Sequence, residues 1–140
     1  MKISEINPTL ALAYAQANPN LAVEIARQFQ EKACEITKMY PEHAVVIANV
    51  SSEKVALDIA NICVPGQSVL IVRERPELSC QIAGIIFNKG ISRETFCTLL
   101  LEMVNYCPDQ AIPLAEKYPE HQIKIAIKAP PSFALEESKD

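Results

Sequence analysis

Tryptophan is absent from this chain, and glycine occurs only three times and histidine twice in 140 residues. So few glycines weigh against a run of tight strand-to-helix turns, because those turns lean on residues that reach positive φ without strain. Basic residues are also short, 13 Lys and Arg against 17 Asp and Glu for a net charge of −4. Without clustered cations to displace phosphate counterions, nucleic acid is not an expected partner. No stretch of 18 apolar residues exists, so a membrane-spanning helix is not expected and no membrane partner follows. The opening "MKISEINPTL" places an acid and an asparagine where a secretory leader needs an apolar run. Cys34, Cys63, Cys80, Cys97 and Cys107 are odd in number, and none falls in a CxxC pair or at zinc-ligand spacing from a histidine. They read as reduced thiols of a cytoplasmic protein, or of one delivered into a host cell without a classical signal peptide. A glycine-rich phosphate loop, an HExxH helix, a GxSxG elbow and an EF-hand loop are all missing, so no cofactor and no metal is expected.

What the chain does have is apolar content, at 49%, and ten prolines. Seven of the prolines open related segments: "NPTLALAYA", "NPNLAVEIA", "YPEHAVVIA", "VPGQSVLIV", "RPELSCQIA", "CPDQAIPLA" and "YPEHQIKIA". These start at Pro8, Pro19, Pro41, Pro65, Pro76, Pro108 and Pro119, with gaps of 11, 22, 24, 11, 32 and 11 residues. Apolar or small residues recur three, four, six and seven places after these prolines, Gln122 apart, which is one face of an α-helix. Proline suits the first helical position, where its missing N–H has no partner to lose. Asn7 and Asn18 precede it as N-caps, and Glu42, Glu77, Asp109 and Glu120 complement the positive helix end. Ser52 and Ser92 are expected to cap two further helices that lack the proline, and Gly90 to close a helix C-terminus.

A helix of eight or nine residues is too short to be stable alone and must bury its apolar face on neighbours. The expected fold is therefore all-α. Short antiparallel helices, about 11 residues each and about 22 per hairpin, form a small α-solenoid or irregular helical array. It spans residues 1–128 as a single domain, with residues 129–140 an acidic, proline-containing C-terminal tail. Residues 18–39 are expected to run as one longer helix, since "QFQEKACEITKM" has no proline at its midpoint. The alternative is an α/β fold with buried strands near 44–50 and 67–73, where β-branched residues run together. The 24 residues "YPEHAVVIANVSSEKVALDIANIC" resemble one repeat of the transcription-activator-like effectors, helical arrays that read DNA, in their Pro-Glu start and Ala-Leu second helix. They lack that family's glycine pair between the helices, and in an acidic chain the resemblance implies a helix-turn-helix unit and no DNA-reading function.

The tetrapeptide "YPEH" occurs at residues 40–43 and again at 118–121. Its histidines, His43 and His121, each beside a glutamate at a helix start, have the types needed to hold a metal or move protons. Seventy-eight residues separate them, and the simpler reading is a first-turn histidine packed on the preceding tyrosine. Cys107, just before Pro108, stands at a helix start, where the dipole lowers a thiol pKa; Asp109 and Glu102 oppose that effect. It is the candidate nucleophile, and Arg73 and Arg75 in "VRERPE" are further binding candidates on a mixed-charge turn. The function expected is a non-enzymatic protein–protein interaction module, an adaptor, assembly factor or effector-type binding protein. It acts on another protein or on a second copy of itself. The alternative is a small enzyme or enzyme regulator using Cys107.

Overall fold

The computed structural model describes residues 5–128, and the predicted tail at 129–140 lies outside them. Among the described residues the fold is all-α, with ten helices and no strand: α1 (Ala11–Ala17), α2 (Ala22–Gln28), α3 (Ala33–Met39), α4 (Ala44–Asn49), α5 (Glu53–Ile62), α6 (Pro65–Glu74), α7 (Ser79–Phe87), α8 (Arg93–Tyr106), α9 (Ala111–Lys117) and α10 (Gln122–Lys128). The β-branched runs near 44–50 and 67–73 thus belong to α4 and α6, and the α/β alternative falls. Two compact units divide the chain, one ending at Ile71 and the next beginning at Val72.

Eleven residues suffice for a unit because almost none are used as loop. Except at Pro65, which opens α6 directly, proline does not open the α-helix itself but a three-residue 3₁₀ turn, as in Pro19–Leu21, which passes straight into a short helix, as in Ala22–Gln28. One linking residue joins each helix to the next turn, with φ/ψ of −132°/74° at Asn18, −129°/73° at Tyr40, −135°/75° at Cys107 and −125°/71° at Tyr118. A following proline excludes the α region at this residue, so the helix must stop there. Its N–H still bonds the last turn of the helix behind it, and its carbonyl accepts from the turn ahead: Tyr40 N donates to Ile36 O at 2.9 Å and His43 N to Tyr40 O at 2.9 Å. A single residue therefore satisfies groups at two helix ends that would otherwise be orphaned.

Two expectations need correction. Residues 18–39 are not one helix: Phe29, with φ −120° and ψ 77°, breaks them, and a 3₁₀ turn at Gln30–Lys32 restarts the unit. Phe29 is buried and holds the slot that Tyr40 and Tyr118 fill elsewhere, so tertiary packing of an aromatic ring imposes the break without a proline. Asn18 is not a side-chain N-cap either. Its backbone lies outside the extended region a cap needs, and its Nδ2 instead donates to Tyr14 O at 3.1 Å. Ser52 and Ser92 do cap, accepting from Val55 N at 3.3 Å and Thr95 N at 3.1 Å, and Gly90 takes the positive φ of 72° after α7.

The repeats bury the same three places, except that Tyr14 in the first and Gln122 and Ala126 in the last are only half-buried. Counted from the first residue of the turn, the third place is a small residue (Ala11, Ala22, Ala33, Ala44, Ser79, Ala111), and the sixth a branched one (Ile25, Ile36, Ile47, Ile82, Leu114, Ile125). The seventh is small again (Ala15, Ala26, Ala48, Ala83, Ala115). The fourth place is only half-buried at Leu12, Val23, Val45 and Ile112, so the inward stripe is narrower than the sequence pattern implies. Alanine on both sides lets backbones close in while each isoleucine, worth about 1.5–3 kcal/mol when fully buried, fills the space between. Helices two apart in the chain pack on one another, α1 with α3, α2 with α4 and α3 with α5 in the first unit, and α7 with α9 and α8 with α10 in the second. Tyr40 bridges one such pair, its hydroxyl donating to Ala15 O at 3.1 Å. Tyr118 makes the matching approach in the second unit, with its hydroxyl beside Gly84 of α7.

Candidate functional site

In the second unit, the turn between α7 and α8 faces the 3₁₀ turn Pro119–His121 that opens α10, and a cleft of about 340 Å³ lies between them. Phe87 comes from the end of α7, Arg93 and Phe96 from the first turn of α8, and Glu120 and His121 from the 3₁₀ turn. Phe96 is the hub of the cluster. It stands edge-on to Phe87 at 5.3 Å between centroids, to Tyr118 at 5.0 Å and to His121 at 5.8 Å, the tilted arrangement that aromatic quadrupoles favour. Phe96 is buried, whereas Phe87 stays 52% exposed at the mouth.

His121 is 5% exposed, and its Nε2 has no hydrogen-bond partner in the protein. The nearest anion, Glu120 Oε1, stands 3.7 Å away, beyond hydrogen-bond range, and the other carboxylate oxygen accepts from Arg93 Nη2 at 2.6 Å. A guanidinium and a carboxylate thus cancel each other at the rim of an aromatic cleft, while the Nε2 of His121 is closed off from solvent inside the protein.

The other sequence candidates lie elsewhere. His43 belongs to the first unit and His121 to the second. His43 is half-buried, its ring 6.0 Å from that of Tyr40. The two turns share four letters and backbone geometry, yet only His121 is sealed under aromatic rings. Cys107 is buried, its Sγ donating to Val72 O at 3.2 Å. Burial, then the charges of Asp109 and Glu77, push its pKa up, which outweighs the helix-start effect on which its candidacy rested. Arg73 lies 5.8 Å over the Tyr106 ring and 3.7 Å from Glu74 Oε1, and Arg75 pairs with Glu77 at 3.3 Å; both are surface ion pairs. No group of three His, Cys, Asp or Glu side chains able to hold a metal occurs among the described residues.

Sequence reasoning missed Phe87, Arg93, Phe96 and Glu120 as a group. A faint signal existed: Phe87 ends an apolar helix beside "NKG", and an aromatic residue there has no place in the repeat's buried stripe. No protein-family model, curated protein or solved structure matches this chain.

Proposed function

We propose that this chain is a non-enzymatic protein–protein interaction module, an adaptor, assembly factor or effector-type binding protein working through its helical surface. The observation that carries the reading is Phe87, a large ring left 52% exposed at the mouth of a cleft backed by buried aromatics. Aromatic anchors around a desolvated pocket are what a partner chain engages with most energy per residue. Ile123 and Ile127, 78% and 80% exposed and four apart on one face of α10, extend the apolar surface of the same unit. A net charge of −4 favours protein over nucleic acid as the partner, and five cysteines that form no disulfide suit the cytoplasm. A thiol held protonated speaks for binding rather than for nucleophilic chemistry at Cys107.

Sedimentation equilibrium combined with capture from the native host's extract tests this, comparing the wild type with Phe87→Ser and with the double variant Ile123→Ser, Ile127→Ser. Self-association or capture of a discrete partner, lost in at least one variant with the helical content intact, is expected. A monomer whose captured proteins are the same for all three chains refutes the reading.

A further inference from the structure

The first and the last described repeat leave apolar side chains uncovered at places that the other repeats cover. In the first unit the second place of the repeat is exposed at Leu10 (49%) and Leu21 (38%) but half-buried at Lys32 and His43, although the latter two are the more polar. The difference follows the packing of helices two apart: α3 and α4 have α1 and α2 to pack on, and no described helix stands two places before α1 or α2. In the second unit α10 packs on α8 and α9, and no described helix follows it. Its fourth place, half-buried in every other repeat that opens with a 3₁₀ turn, is Ile123 at 78% exposure. Its eighth place, polar or glycine in all of those repeats, is Ile127 at 80% exposure. A terminal repeat that faces water needs a polar outer face, and neither α1 nor α10 has one. On α1 there is no charged residue, and its exposed Ala13 and Ala17 stand where the next repeat has Glu24 and Gln28. With Leu10 and Tyr14 they line a shallow groove of about 250 Å³. On α10, the exposed Lys124 and Lys128 flank the isoleucines. Two α10 faces brought together would gather four ammonium groups, whereas the uncharged α1 face meets them without repulsion.

We infer that copies of this chain associate head to tail, the Ile123 and Ile127 face of one packing into the α1 groove of the next. Each face then supplies what the other lacks, a helix after α10 and a helix before α1, so a single sequence provides both halves of a heterologous contact. The contact rests on the interaction-module reading and names the partner as a second copy.

Sedimentation velocity of the full chain, with each face blocked separately, tests this. The wild type is expected to gain mass with concentration. Ile123→Ser with Ile127→Ser blocks the α10 face and is expected to weaken association by about a hundredfold, roughly tenfold for each isoleucine that the contact buries. Ala13→Lys with Ala17→Lys, both at exposed positions, sets ammonium groups against Lys124 and Lys128 and is expected to abolish association at the same concentrations. An equimolar mixture of the two blocked chains is expected to regain a one-to-one dimer and nothing larger, since one intact α10 face then meets one intact α1 groove. A lysine variant that still self-associates, as an α10-to-α10 dimer would, overturns the contact, and so does a mixture of folded variants that stays monomeric. A dilution series of the wild type followed by NMR needs no variant: shifts are expected at α1 and α10 together, and shifts confined to one of them overturn the contact. A wild type that is monomeric at every concentration also overturns it, while the interaction module stands if a discrete partner is captured by the wild type and lost in Phe87→Ser.

Discussion

Replacing His121 by leucine is expected to stabilise the protein, although it removes a buried side chain with a tight aromatic neighbour. The imidazole is 5% exposed with Nε2 unpartnered in the protein, and a stranded buried polar atom costs about 1–3 kcal/mol. Against this, the edge-on contact with Phe96 at 5.8 Å is lost, worth about 0.5–1.5 kcal/mol. Leucine itself is no strain at this place in the unit, since Leu78 occupies it fully buried. The balance is a gain of about 1 kcal/mol, or roughly 4–8 °C in Tm for a unit of this size. The same substitution at the half-buried His43 is a control, expected to stay within about 0.5 kcal/mol of neutral. Thermal denaturation followed by far-ultraviolet circular dichroism gives the Tm, and slower amide exchange in α8 and α10 assigns the gain to the second unit. A His121→Leu chain that melts below the wild type shows that Nε2 is satisfied and that the histidine contributes to stability; the reasoning about the cleft then fails with it.

Ile36→Ala removes a fully buried branched side chain from the centre of the first unit and is expected to cost about 2–5 kcal/mol, whereas Ile123→Ala, at 78% exposure, stays within about 0.5 kcal/mol; urea denaturation of each measures both. Tyr40→Phe deletes the hydroxyl that donates to Ala15 O at 3.1 Å between α3 and α1, and a loss of about 1 kcal/mol by the same method is expected. Burial raises the pKa of Cys34 and Cys107 above the ordinary thiol value of 9.0 and that of Tyr118 above 10.0. The unfolded chain therefore ionises first on the alkaline side, so stability is full below pH 9 and falls as the pH climbs from there toward the folded values. Urea midpoints measured from pH 8 to 10.5 follow this fall, and Cys107→Ala is expected to shallow it; a midpoint that rises with pH contradicts the assignment.

The eleven-residue spacing of Pro8, Pro19, Pro65, Pro76, Pro108 and Pro119, with alanine and isoleucine at fixed distances behind, carried the helical array in plain view, because proline and side-chain period act locally. Ser52, Ser92 and Gly90 were readable for the same reason: caps depend on residues within one turn of each other. The break at Phe29 was less legible. Its only signals were the 22-residue gap from Pro19 to Pro41 and the return of Ala33 and Ile36 in register; what ends α2 is an aromatic side chain finding its place in the core. Tertiary structure alone separated the two "YPEH" turns. Identical letters give identical backbones at Tyr40 and Tyr118, but whether a histidine faces water or a stack of rings depends on the neighbour that folds over it. Phe96 reaches His121 from more than twenty residues away, and Arg93 pairs with the carboxylate of Glu120. Local sequence set each turn, and the packing of α8 against α10 buried one of them beneath aromatic rings.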